Sequence, residues 1–182
     1  MIYETKQIPL KNGKMATFRS PVPEDAEQML AYLRAVAGET PFLLREPEEV
    51  TMTPEQEVAF LNGIRQSECD TMIVCEVEGN LAGNCQLSRM NRRRTMHRAM
   101  VAIALRKPYW NLGIGTAMFG EMLRLAKEQG IEQLELEVVE GNTRAMALYE
   151  KMGFRVVGAK PNAIRLKDGT MRKDFYMVKE LV

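Results

Sequence analysis

Residues 105–116 read Leu105-Arg106-Lys107-Pro108-Tyr109-Trp110-Asn111-Leu112-Gly113-Ile114-Gly115-Thr116. The stretch follows a predicted strand, Arg98 to Leu105. It opens a predicted helix, roughly Ile114 to Gln129, whose apolar stripe is Ile114, Met118, Met122 and Leu125. Glycines at a strand-to-helix junction let backbone N–H groups approach a ligand with no Cβ in the way. The first N–H groups of a helix lack intrahelical partners and carry partial positive charge. Together these features make a pyrophosphate site. A pair of glycines also fits a plain turn that needs positive φ. A dinucleotide-binding loop would want a third glycine where this chain has Met118, and the Gly-Lys-Ser/Thr of a triphosphate loop is absent.

Working outward, the N-terminal residues 1–14 predict a short extension or strand closed by Lys11-Asn12-Gly13, and Met15 to Arg19 a strand. A helix begins near Pro23, with Glu24 and Asp25 suited to its N-terminus, and Gly38 is its expected stop. Residues 39–52 predict a loop. Thr53, Pro54 and Gln56 spell a capping box for a second helix that runs to about Arg65. Thr71 to Glu78 and Leu81 to Leu87 flank a Gly79-Asn80 turn, a hairpin signal. After the glycine loop and its helix, Leu134 to Val139 alternates apolar and acidic residues as a half-buried strand does. Asn142 caps a helix that Gly153 ends. Phe154 to Gly158 and Phe175 to Leu181 are the last strands, with an Asp168-Gly169 turn between them. The predicted fold is therefore α/β (α+β): one domain over residues 1–182, a mixed sheet with helices on its faces.

The second informative segment is Asn142-Thr-Arg-Ala145-Met-Ala-Leu148-Tyr149-Glu-Lys151-Met-Gly153-Phe154. With it in view, the chain resembles the GNAT (Gcn5-related) N-acetyltransferases. Their first signature is Gln/Arg-x-x-Gly-x-Gly/Ala at the start of the long helix. The second is Asn-x-x-Ala-x-x-Leu-Tyr-x-x-x-Gly-Phe. Gly113 and Gly115 match the first, and every named position of the second is present. Asp174-Phe175-Tyr176-Met177 also looks like the family's ending. The departure is Trp110, which stands where the family has Gln or Arg.

The resemblance implies a mostly antiparallel central sheet with helices on both faces. It also implies a V-shaped gap between strands 98–105 and 134–139 that takes acetyl-CoA as acyl donor. Its pantetheine arm would pair with the strand edge at Ile103 and Leu105. The N–H groups of Leu112, Gly113, Ile114, Gly115 and Thr116 would meet the pyrophosphate, Asn111 would add a polar contact, and Asn142 and Ala145 would contact the donor from the facing helix. Asn142 also reads simply as a helix cap, Ile103 and Leu105 as core residues. Tyr149 is the family's usual acid for the leaving thiolate, and the other reading is a core tyrosine. Attack on a thioester needs a neutral amine, and the oxyanion needs a donor, here a backbone N–H near Ile103. No carboxylate lies within Arg98 to Leu105, so the base stays open among Glu39, Glu76, His97 and relayed water. The implied function is direct transfer of acetyl to a primary amine, on a small molecule or a peptide. The alternative is a non-catalytic acyl-CoA-binding or regulatory module on the same fold.

Composition narrows the partners. Lys and Arg number 25 against 24 Asp and Glu, so charge points to neither nucleic acid nor an anionic membrane. Arg92-Arg93-Arg94 reads as a solvated loop. Cys69, Cys75 and Cys85 form no Cys-x-x-Cys pair and His97 is the only histidine, so no metal is expected. Cys75 and Cys85 read as small core residues rather than nucleophiles. An odd cysteine count, no signal sequence and no apolar run near the roughly 20 residues of a membrane span predict a cytoplasmic protein. A homodimer through strands of residues 154–181 is expected from the resemblance alone.

Overall fold

The computed structural model describes residues 2–181. Its strands are β1 (Lys6–Pro9), β2 (Met15–Arg19), β3 (Asp70–Val77), β4 (Asn80–Arg89), β5 (Arg98–Leu105), β6 (Gln133–Val139), β7 (Arg155–Arg165) and β8 (Met171–Glu180). Its helices are α1 (Ala26–Glu39), α2 (Pro54–Gln66), α3 (Ile114–Glu128) and α4 (Thr143–Lys151). The strands form one sheet in the order β1-β2-β3-β4-β5-β6-β8-β7. Every neighbouring pair is antiparallel except β5–β6.

Both faces of the sheet are covered, and β3 shows how. Its successive side chains point to opposite faces. Ile73 and Cys75 enter the larger core with Met118, Phe119 and Met122 of α3. Met72 and Val74 enter a second core with Met29 and Tyr32 of α1 and Leu61 of α2. The larger core includes a ring cluster in which Phe119 lies 5.3 Å from Tyr149 and 5.8 Å from Phe154, centroid to centroid. Each such ring contributes about 1.5–3 kcal/mol through burial, so the cluster fixes α4 against α3.

The expected punctuation of α2 is present: Thr53 Oγ1 accepts from Gln56 N, and Gln56 Oε1 accepts from Thr53 N. Several boundaries differ. α1 runs through Gly38 to Glu39, and Gly38 sits beside Pro47, where a Cβ would lie 3.4 Å from Cγ; it serves close packing, not termination. The β3–β4 turn is Glu78-Gly79, one residue earlier than expected, because Glu78 itself takes a positive φ of 52°. β7 extends past Gly158 to Arg165, and β8 begins at Met171 instead of Phe175. Two register shifts interrupt this pair, at Val156/Gly158 and Lys160/Ile164, and they break the period-2 pattern by which strands are read.

Candidate active site

The site begins where a ladder stops. β5 and β6 pair only at Arg98–Gln133, Ala99–Leu134 and Met100–Glu135. Beyond that point β5 stays with β4 as far as Leu105, and β6 stays with β8 as far as Val139. The two strands are thus held by different neighbours and a gap opens between them. Backbone groups along an antiparallel pair face alternate sides. Arg106 N donates to Ala82 O on β4, so Ile103 and Leu105 turn their N–H and C=O groups toward the gap.

A cavity of about 300 Å³ fills the gap, lined by Ile103, Leu105, Asn142, Ala145, Leu148 and Tyr149. Val36 of α1 and Phe42 and Leu43 of the following loop line it as well. A second recess, about 330 Å³, lies at the glycine loop and is lined by Asn111, Gly113, Ile114, Gly115 and Thr116. Leu105, Trp110, Arg144 and Leu148 belong to both and form the waist between them. Leu112 lines neither; its carbonyl accepts from Lys11 N and its side chain packs on the core.

Local conformation explains the glycine loop. Asn111 and Gly113 both take positive φ, 66° and 93°, which Gly adopts without cost and Asn more readily than most residues. Gly115 is needed for space: a Cβ there would lie 3.0 Å from Leu148 Cδ2 and 3.6 Å from Leu105 Cδ1. It would fill the waist. The residues present therefore fit an elongated thioester whose diphosphate end lies at the α3 N-terminus, and Lys11, Arg144 and Lys151 line that recess with positive charge.

On the facing helix, Asn142 Oδ1 accepts from Ala145 N at 3.3 Å, so Asn142 caps α4 and lines the cavity at once. Tyr149 is 7% exposed. Its hydroxyl makes no hydrogen bond to another described residue, and burial pushes the phenol up to about 12. It is both a core ring and a cavity wall.

The base candidates fare differently. Glu39 Oε1 accepts from Arg106 Nε at 2.9 Å and Oε2 from Lys107 N at 2.6 Å, so this carboxylate is a clamp on the start of the loop. Glu76 accepts from Arg19, which also holds Asp25. His97 is exposed just before the N-terminal end of β5, opposite the end that forms the gap. No carboxylate or imidazole lines the 300 Å³ cavity among the described residues. Asp174 stands in register with Val139, two residues before Gly141, with a buried Oδ1 lacking a hydrogen-bond partner among the described residues; burial raises this carboxyl. Burial also raises the thiols of Cys75, to about 12, and Cys85, which keeps both as thiols rather than nucleophiles.

Two features escaped the sequence reading. Trp110 donates from Nε1 to Leu105 O at 2.8 Å, occupying one of the two edge carbonyls expected to meet the pantetheine arm. Arg144 crosses the gap, donates to Asn111 Oδ1 at 2.6 Å and lies 4.4 Å from the Trp110 ring centroid. The second signature skips over position 144, so the motif carried no signal for it.

A family model described as Acetyltransferase (GNAT) family matches residues 33–154. The chain is similar to an N-alpha-acetyltransferase of Sulfurisphaera tokodaii, 29% identical over 149 residues, 81% of this chain and 84% of that protein. Among solved structures, a GNAT-family acetyltransferase from Streptococcus pneumoniae superposes with a TM-score of 0.85 at 28% identity, covering 91% of this chain and 99% of that one. YncA of Salmonella typhimurium, solved with acetyl-CoA, shares the fold at a TM-score of 0.78 and 14% identity, over 92% and 94% of the two chains.

Proposed function

The chain belongs to the GNAT family of acetyltransferases, and from that premise we infer that it transfers acetyl directly to a primary amine in the gap between β5 and β6. The observation that carries the reading is the waist at Gly115, where two recesses meet between a glycine-opened helix and Tyr149. Acetyl-CoA, when bound, supplies an activated acyl group on a thiol leaving group.

The chain's own residues supply the rest. The α3 N-terminus, with Gly113, Ile114, Gly115 and Thr116, holds the diphosphate end. Ile103 offers its N–H and C=O as a strand edge, and its N–H is the donor for developing negative charge. Asn142 and Ala145 bound the acyl arm from α4. Burial raises the Tyr149 phenol to about 12, so it is protonated at neutral pH and donates to the departing sulfur. The amine's proton leaves to water, and water returns a proton to the Tyr149 phenolate, which restores the phenol. Acetyl passes straight to nitrogen, with no cysteine ester between.

N-terminal amines of peptides are the first acceptors to try, given the relative's name, with amino acids and polyamines beside them. The three free thiols fit a reducing cytoplasm, and no helix among the described residues is long and apolar enough to cross a membrane. The edge strand β7, with Val156 and Val157 exposed, is the surface on which a homodimer would form. The test is an amine panel with acetyl-CoA, following thiol release and acceptor mass. Amine-dependent thiol release matched by a 42 Da gain, about the mass of one acetyl group replacing hydrogen, supports transfer. Tight acetyl-CoA binding without amine-dependent release would leave a non-catalytic module.

A further inference from the structure

We propose that Arg144 is a phosphate-binding residue for the acyl donor, doing from α4 what the family's Gln or Arg does from the position that Trp110 occupies here. The inference rests on the acetyl-CoA reading above.

Three observations lead to it. First, the glycine-loop recess is a site for a diphosphate, yet the loop residue at its entrance is an indole, which has one N–H donor and no charge. That donor is already spent on Leu105 O, 2.8 Å away. Second, Arg144 stands at the waist shared by both recesses. Its guanidinium has five N–H donors in a planar fork suited to phosphate oxygens. Nη1 makes one hydrogen bond, to Asn111 Oδ1 at 2.6 Å, and no carboxylate pairs with the group among the described residues. Third, the guanidinium lies 4.4 Å from the Trp110 centroid, so the indole is a platform that keeps the charge over the loop. Trp110 and Arg144 thus work as a pair: one supplies the shelf, the other the charge. Replacing a loop arginine by tryptophan removes no charge from the recess once α4 carries an arginine to it.

The pairing also restricts the waist. With Trp110 hydrogen-bonded to Leu105 O, the edge carbonyl left for the pantetheine arm is that of Ile103. A donor threading from one recess to the other passes against the stacked pair, so this contact orients the donor as well as attracting it.

The test measures equilibrium binding, not turnover. Calorimetry with CoA, 3′-dephospho-CoA and S-acetylpantetheine is run on wild type, Arg144→Ala, Arg144→Lys and the double variant Trp110→Arg/Arg144→Ala. Trp110 is the only tryptophan, so its fluorescence gives a second readout wherever it is retained. The expected result is a loss of about 10- to 100-fold in Arg144→Ala for CoA and for 3′-dephospho-CoA alike, the factor typical of losing a charged hydrogen bond. S-acetylpantetheine, which lacks the diphosphate, binds as before. The salt dependence of CoA binding becomes shallower in Arg144→Ala, Arg144→Lys is intermediate, and the double variant regains affinity. Arg144 is exposed, so the fold tolerates its loss. CoA affinity unchanged in Arg144→Ala would overturn the proposal. Equal losses for CoA and S-acetylpantetheine would overturn it too, since Arg144 would then act only by holding Asn111. A wild type that binds neither CoA nor acetyl-CoA would remove the acyl-donor reading itself, and this assignment with it.

Discussion

Glu39, the last residue of α1, accepts a 2.6 Å hydrogen bond from the backbone N–H of Lys107, the second residue after β5. The same carboxylate holds Arg106 Nε. It ties the end of α1 to the start of the glycine loop, as a clamp does. Glu39→Ala should cost about 1–2 kcal/mol in stability and weaken acetyl-CoA binding several-fold, with the pH profile of kcat unmoved. Glu39→Gln, which keeps the carbonyl oxygen, should stay near wild type. A collapse of kcat in Glu39→Gln with intact binding would mark it as the base after all.

Gly83 on β4 pairs with Leu105 on β5. A Cβ at position 83 would collide with Leu105 Cδ2 and lie 2.6 Å from Ala104 O. Gly83→Ala must therefore push the end of β5, and with it Ile103 and Leu105, into the gap. We expect a loss of about 1–3 kcal/mol from overpacking, seen as a lower Tm, and a weaker acetyl-CoA affinity from the displaced strand edge. Normal affinity at reduced Tm would separate this strand end from the donor site.

Glu57 of α2 is 1% exposed, and its Oε1 has no hydrogen-bond partner among the described residues. Burial raises its carboxyl, against a smaller pull from Arg45. A raised folded-state value means the native chain binds the proton more tightly than the unfolded chain does. Stability therefore falls as pH rises from the unfolded value of about 4.3 through the folded one. Glu57→Gln removes that fall. Its Tm should exceed wild type by a few degrees at neutral pH, and the advantage should vanish near pH 4. Equal melting of the two proteins at both pH values would contradict this.

The parts of the fold that could be read beforehand are those in which one local rule acts alone. The Thr53-Gln56 box caps α2 because both partners lie within one turn. Gly113 was legible because the strand, the loop and the helix each carry their own pattern. The β7–β8 hairpin was underestimated because two register shifts and the positive φ of Asn162 break its alternation. Glu78 hid the β3–β4 turn in the same way, by adopting a conformation its residue type rarely takes. Of the site, the glycine loop and α4 could be placed from their signatures, but the waist could not. The contact of Arg144 with Trp110 joins residues 34 positions apart through side-chain stacking, and no local periodicity records that. The Glu39 clamp reaches 68 positions to Lys107 and is invisible for the same reason.

Tyr149 lines the gap in which we infer that acetyl leaves sulfur for nitrogen, with the phenol as proton donor. Tyr149→Phe keeps the ring that packs 5.3 Å from Phe119 and deletes a hydroxyl that no described residue holds. The decisive measurement takes kcat, acetyl-CoA affinity and Tm on one preparation of each protein. Affinity and Tm should be unchanged, with kcat lower by about 10²- to 10⁴-fold, the range for losing one general acid. Because burial holds the phenol near 12, wild-type kcat should also show no loss at the ordinary tyrosine value of about 10. An unchanged kcat in Tyr149→Phe would contradict the assignment and leave Tyr149 as a core ring that borders the cavity without taking part in the chemistry.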